Sequence, residues 1–341
     1  MNTLSLLPKL VLGRNPLRAL VLIAWLAVGS AATLRAVIFY STADPTFNTT
    51  APTGNLSGSG WQWVGYWDGF QGTPIGPHHF LTAQHIGGTV GHPFTYNGIT
   101  FKTTAFYNDP TSDLRICEVD GTFPTWATLY RTSDEVGRSL VVFGRGLSRG
   151  DEVHDVATNT LRGWEWGGGG GVLRWGENAV TSVVNGGSWG SLLYATFDQN
   201  GGINEAALAV GDSSGPVFID DGAGWKLAGI AAAVDGPFNT TNSGAGFNAA
   251  IFDVRGLYYN TSSGWAYASP AWPWPYHAGF YATQVSAHTA WIDGIVPPQD
   301  PNEGADAPLL SPAGLVMFAG LLFGVGARAL RTPRQAMPVP R

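Results

Sequence analysis

Apolar residues in this chain come in short runs ended by glycine, proline or asparagine, and only near the C-terminus do they fall at convincing helical spacing. Phe80-Leu81-Thr82-Ala83, Ser139 to Phe143, Pro216 to Ile219 and Lys226 to Val234 are of this kind, and Tyr96 to Tyr107 reads as a hairpin around Asn97-Gly98. An Asn-Gly pair between alternating apolar residues is a strong two-residue turn signal. Composition agrees: charged residues make up 12% of the 341, against 47 glycines and 14 tryptophans. Such a mixture suits short aromatic strands joined by tight turns, so the expected class is all-β. The net charge of -6 understates the acidity of the body, because residues 33 to 312 hold 24 acidic residues against 11 basic ones. A segment this acidic offers no footprint for a phosphate backbone, and nucleic acid is excluded as a partner.

The chemistry-bearing stretch is Gly211-Asp212-Ser213-Ser214-Gly215-Pro216, a glycine-flanked serine running into Val217-Phe218-Ile219. A serine hydroxyl is a poor nucleophile unless a base takes its proton and nearby donors hold the oxyanion that forms. Upstream, Phe80 to Ala83 runs into Gln84-His85, and Ser112-Asp113-Leu114-Arg115-Ile116 sets an aspartate at the head of an alternating strand. Asp109 and Asp120 compete for the orienting role, and Asp113 is preferred for its strand-entry pattern. His78, His79 and His92 read as surface or hydrogen-bonded histidines. The one cysteine, Cys117, cannot form an intramolecular disulfide and reads as a small buried hydrophobe. With no Cys or His cluster at ligand spacing, neither a metal nor an organic cofactor is expected.

Histidine, aspartate and serine occur in the order used by the chymotrypsin-like serine proteases. Leu81 to His85 resembles that family's Leu-Thr-Ala-Ala-His, Asp113 to Ile116 its Asp-Ile-Ala-Leu, and Gly211 to Pro216 its Gly-Asp-Ser-Gly-Gly-Pro. Ala228-Gly229-Ile230, Gly246-Phe247 and a terminal helix over Val285 to Ile295 extend the likeness, which runs from about Trp61 to Val296. The resemblance implies two antiparallel β-barrels followed by a helix, the first over 33–132 with His85 and Asp113, the second within 133–296 with Ser213. It implies Ser213 as nucleophile, His85 as base, Asp113 as the group orienting it, and the backbone N–H groups of Gly211 and Ser213 as the oxyanion hole. It also puts the specificity pocket at Ala207, Val234 and Gly246, a neutral pocket for small or medium apolar side chains of a protein or peptide substrate. Ser214 stands where the family has glycine, a difference that would slow turnover. In activated relatives the aspartate beside the serine pairs with a new N-terminus beginning Ile-Val-Gly-Gly. The nearest segment here, Ala36-Val37-Ile38 after Arg35, lacks the Gly-Gly and argues against that route.

Residues 1–32 have the layout of a secretory leader, with Lys9, Arg14 and Arg18, the apolar run Ala19 to Val28, then small residues. Residues 297–312 read as a linker. Ala313 to Ala327 and the arginines at 328, 331 and 334 resemble a bacterial PEP-CTERM sorting segment, although Ala307 to Pro312 stands in place of Pro-Glu-Pro. An exported, membrane-retained protein is expected. Gly167 to Gly171 reads as a hairpin tip, and the Trp- and Pro-rich insertion Leu257 to Phe280 as packing over a barrel edge. Two other functions are compatible with the sequence. One is an α/β-hydrolase using Ser213 in a Gly-x-Ser-x-Gly elbow with Asp253 and His277 or His288 downstream. The other is a catalytically silent binding module that uses the aromatic insertion.

Overall fold

The computed structural model describes residues 36–273 and 276–298. A two-residue strand, β1 (Ile38–Phe39), precedes β2 (Gly65–Trp67), β3 (Phe70–Gly76), β4 (His79–Ala83), β5 (Pro93–Tyr96), β6 (Ile99–Asn108) and β7 (Leu114–Val119). Strands β2 to β7 close into an antiparallel barrel in the order β2-β3-β4-β7-β6-β5. The hairpin at Asn97-Gly98 forms as expected, with φ of 54° and 76°, the left-handed pair that a two-residue connection between twisted strands requires. Inside the barrel lie Trp67, Phe80, Phe94, Tyr96 and Phe123, with Phe80 and Phe94 stacked at 4.0 Å between centroids. Burying each such ring stabilises the fold by roughly 1.5–3 kcal/mol. Cys117 is part of the same core, and burial pushes its thiol far above the usual range.

The second half holds β8 (Ser139–Gly144), β9 (Arg149–His154), β10 (Leu161–Trp166), β11 (Arg174–Ala179), β12 (Ser182–Asn185), β13 (Ser191–Thr196) and β14 (Ala206–Ala207). It continues with β15 (Pro216–Asp220), β16 (Trp225–Val234), β17 (Phe238–Asn239), β18 (Ala249–Ile251), β19 (Tyr258–Thr261), β20 (Gly264–Tyr267) and β21 (Gly279–Gln284). Seven of these form one sheet in the order β11-β8-β15-β16-β21-β13-β12. The sheet curls so that β11 approaches β13, where Asn178 Nδ2 donates to the Thr196 carbonyl at 2.8 Å. Val142, Val217, Ile219, Ala228 and Phe280 fill its interior. A short helix, α1 (Thr289–Ile295), ends the described chain, and its Ile292 packs into a cluster shared by Leu81, Leu114 and Ile116 of the barrel and Val141, Phe218 and Ile230 of the second half. That shared cluster is the seam between the two halves. The molecule is all-β with a C-terminal helix.

Several expectations are refined. Trp61–Trp63, where the likeness begins, is a 3-10 turn leading into β2. Although β1 precedes the barrel in sequence, it pairs with β14 in the second half. Gly167 to Gly171 is not a hairpin tip: β10 pairs with β9 and β18, and β11 with β8, so the glycines cross between two sheets. They lie against residues 145 to 150, where a side chain on Gly150 would meet the Gly167 backbone at 2.9 Å. The aromatic insertion forms β19 and β20, and Trp265 packs over Gly246, whereas Trp272 and Tyr276 remain exposed. The leader, most of the linker and the segment 313–334 lie outside the described residues. Among those described, no helix is long and apolar enough to cross a membrane.

Candidate active site

Three side chains meet at the seam. His85 follows the end of β4, Asp113 precedes β7, and these strands pair side by side with Ala83 opposite Leu114. The pairing continues one residue further, since Gln84 N–H donates to the Asp113 carbonyl at 2.6 Å. Asp113 then grips His85 twice: Oδ2 lies 2.6 Å from Nδ1, and Oδ1 accepts the His85 backbone N–H at 2.9 Å. A carboxylate facing Nδ1 fixes the proton there and leaves Nε2 as an acceptor. Nε2 lies 2.8 Å from the Ser213 hydroxyl.

The loop ahead of Asp113 is held from beneath. The Gln84 amide donates to the carbonyls of Asp109, Ser112 and Leu114 at 2.7–3.0 Å. Asp109 accepts from Thr111, from the Ser112 hydroxyl at 2.7 Å and from His288 Nδ1 at 2.7 Å. Burial works against its charge, but these hydrogen bonds and His288 hold its carboxyl below the usual range. Asp109 thus braces the loop and does not face His85. Asp120 accepts Lys102 N–H, His78 faces the Gly121 carbonyl, His92 pairs with Asp68, and His79 lies beside the Tyr107 ring.

The nucleophile turn shows how glycine and buried polar groups shape a backbone. Gly211 has φ of 91°, and a side chain there would meet Gly146 Cα at 2.9 Å. The N–H groups of Asp212, Ser214 and Gly215 are used within the fold, donating to Ala209, Ala231 and Asp212. Those of Gly211 and Ser213 donate to no group among the described residues.

Asp212 is fully buried, and burial pushes its carboxyl up to about 7 against the pull of backbone hydrogen bonds from Ala209, Gly146 and Val37 and the charge of Arg174. The contact from Val37 brings the Ala36–Ile38 segment to Asp212 as a backbone amide of the continuous chain. Pairing of Ile38 with Ala207 carries the segment there without a following Gly-Gly. Val37 has φ of 53°, a left-handed conformation that a β-branched residue rarely adopts.

Beside Ser213 opens a cavity of about 210 Å³ lined by Trp166, Leu208 to Val210, Ala231 to Val234 and Asn248. Val234 is on its wall as expected, but Ala207 and Gly246 are not. Ala207 is buried under β1 with Ile38, Trp164 and Phe197, and Gly246 sits against Trp265 and Pro237. Leu208, Ala209, Trp166 and Asn248 line it instead.

No family model matches the chain, and no curated protein matches it. Among solved structures, neuropsin, a serine protease expressed in the limbic system of mouse brain, is 13% identical over 70% of this chain and 95% of its own, with a TM-score of 0.44. Kallikrein-related peptidase 10 is 15% identical over 72% of this chain and 98% of its own, with a TM-score of 0.39. At that distance the site has to be read from its own geometry.

The elbow alternative fails on that geometry. Its downstream acid and histidines do not reach Ser213: Asp253 pairs with Arg162 and Arg255, His277 with Asp198 and His288 with Asp109. Nor is there the alternation of strands and helices that fold requires, since α1 is the one α-helix among the described residues. Sequence reasoning gave no supporting role to Gln84 or Trp189, whose ring lies 5.3 Å from that of His85, and weighed His288 only for the elbow alternative, not as the partner of Asp109. A glutamine just before the histidine was the available signal. The other two come from 3-10 turns far away in sequence.

Proposed function

We propose that this chain is a serine endopeptidase that cleaves peptide bonds through an acyl-enzyme. The observation that carries the reading is the unbroken series Asp113, His85, Ser213 at 2.6 and 2.8 Å, next to two backbone N–H groups with no partner of their own. Ser213 Oγ attacks the carbonyl carbon while His85 Nε2 takes its proton, and the Asp113 carboxylate stabilises the imidazolium. The oxygen that gains charge turns toward the N–H groups of Gly211 and Ser213, each such donor being worth about 2.7–4 kcal/mol in the transition state. His85 returns the proton to the leaving amine, and water resolves the acyl-enzyme by the same route in reverse. The cavity bounded by Val234, Ala232 and Leu208 suits a small or medium apolar side chain on the residue whose carbonyl is attacked. Export with membrane retention through residues 313–327 is proposed on the sequence pattern alone.

The test is reaction of the full chain with a fluorophosphonate probe, together with hydrolysis of peptide anilides ending in Ala, Val, Phe or Arg. Labelling of wild type that is absent in Ser213→Ala and His85→Ala, with Ala or Val cleaved in preference to Arg, is the expected result. A folded wild type that neither labels nor cleaves returns the chain to the binding-module reading.

A further inference from the structure

Ser214 is the residue the resemblance marked as a defect. It is wholly buried, and its φ of 65° is a conformation glycine adopts freely and serine does not. A glycine there would leave the same turn less strained, so the side chain calls for a local reason. Its hydroxyl accepts a hydrogen bond from the Ala83 N–H at 3.1 Å. Ala83 ends β4, two residues before His85, and Ser214 directly follows Ser213. The bond therefore crosses the seam between the two halves at the point where base and nucleophile must meet.

A second buried side chain crosses the same seam. Gln71, on β3 and fully buried, sits with its amide between the nucleophile turn and the β8–β9 connection. In the orientation that satisfies both neighbours, it donates to the Ser213 carbonyl at 2.8 Å and accepts the Arg145 N–H at 2.9 Å. The Gln71 carbonyl in turn accepts from the Thr82 hydroxyl at 3.0 Å, which ties β3 to the residue before Ala83. Residues 213 and 214 are thus each held to the barrel by one buried polar bond.

We propose that Ser214 is a positioning residue: through Ala83, and with Gln71 beside it, its hydroxyl sets the separation of Ser213 from His85 across the seam. This rests on the endopeptidase reading. The apolar cluster at the seam resists separation of the halves but is indifferent to small sliding, whereas hydrogen bonds fix register. A misplacement of about 1 Å at a reacting pair costs on the order of 100-fold in rate.

Two variants separate positioning from fold maintenance. Ser214→Ala keeps the left-handed strain and loses the bond, while Ser214→Gly loses the bond and relieves the strain. Thermal melting should therefore place the glycine variant above the alanine variant. If the hydroxyl positions the nucleophile, both variants label with fluorophosphonate roughly 10- to 100-fold more slowly than wild type. Both should also lower kcat on a peptide anilide with little change in KM, regardless of their order in stability. If Ser214 only replaces a glycine at a cost, Ser214→Gly labels and turns over at or above the wild-type rate, and the inference is overturned. Absence of Ser213-dependent labelling in folded wild type overturns the endopeptidase reading instead, and the inference with it.

Discussion

Asp113 offers both oxygens to one residue, His85, and this double grip is where an isosteric substitution acts most sharply. Asp113→Asn leaves the shape but can present an amide N–H to Nδ1, forcing the proton onto Nε2, where it blocks acceptance from Ser213. We expect kcat to fall by about 10⁴-fold with KM nearly unchanged, measured on the preferred anilide substrate. At the cavity wall, Val234→Gly should open room for larger side chains. The ratio of kcat/KM for Phe over Ala should rise by 10-fold or more, since a few methylenes in an apolar pocket are worth about 1–3 kcal/mol. An unchanged ratio would mean that Val234 does not limit the pocket. The three candidate residues could be singled out in the sequence because each lies near a strand end within a short motif that resembles the family's. The rest of the cavity lining was not legible, because carrying a position across an irregular loop can slip by a residue or two. Ala207, buried with Ile38, Trp164 and Phe197 and absent from the cavity lining, is where the slip shows.

Among the elements, β1 is the one whose destination could not be read from its own residues. Two residues are too few for a periodic signal, and its partner lies far along the chain at Ala206–Ala207. The pairing delivers the Val37 backbone to the buried Asp212 carboxylate. An amide there supplies a dipole, whereas a chain beginning at Val37 would supply an ammonium, which offsets a buried carboxylate far better. Val37 would also lose the preceding carbonyl that makes a φ of 53° costly for valine. We therefore expect chains starting at residue 33, 36 and 37 to differ in kcat/KM, highest for the start at Val37, and the N-terminus of the most active natural form to begin there. Equal activities in all three would show that Asp212 is served by amides alone. The Gly167 to Gly171 run was misread for a related reason: glycine marks close backbone approach as readily as a turn, and only the packing against residues 145 to 150 decides which.

For the whole molecule, the pattern of short runs and turns was enough to give the all-β class, since strand length and turn chemistry are local, whereas the division into halves came from the resemblance. The seam was hidden, because it joins residues from both halves that no local pattern links, and so was the burial of two acids in the second half. Asp212 is pushed up to about 7, and Glu205, 3% exposed, to about 8. For Glu205 burial is the main cause; the charges of Asp198 and Glu177 add to it, and the Asp198 N–H and His277 oppose it. An acid whose carboxyl is raised on folding binds its proton more tightly in the folded chain than in the unfolded one. Its stabilising contribution is then complete below its ordinary value, near pH 4.5 for a glutamate, and is lost as pH rises toward 8. Glu205→Gln carries no charge in either state and can still accept the Asp198 N–H. In urea titrations at fixed ionic strength, wild type and variant should be similar in stability at pH 4.5. As pH rises to 8 the variant should become the more stable by a few kcal/mol, since each unit of raised carboxyl pKa is worth about 1.4 kcal/mol. Parallel stability curves across that range would mean that Glu205 keeps its charge through its hydrogen bonds from Asp198 N–H and Asn178, and that the pH dependence of the fold lies with Asp212.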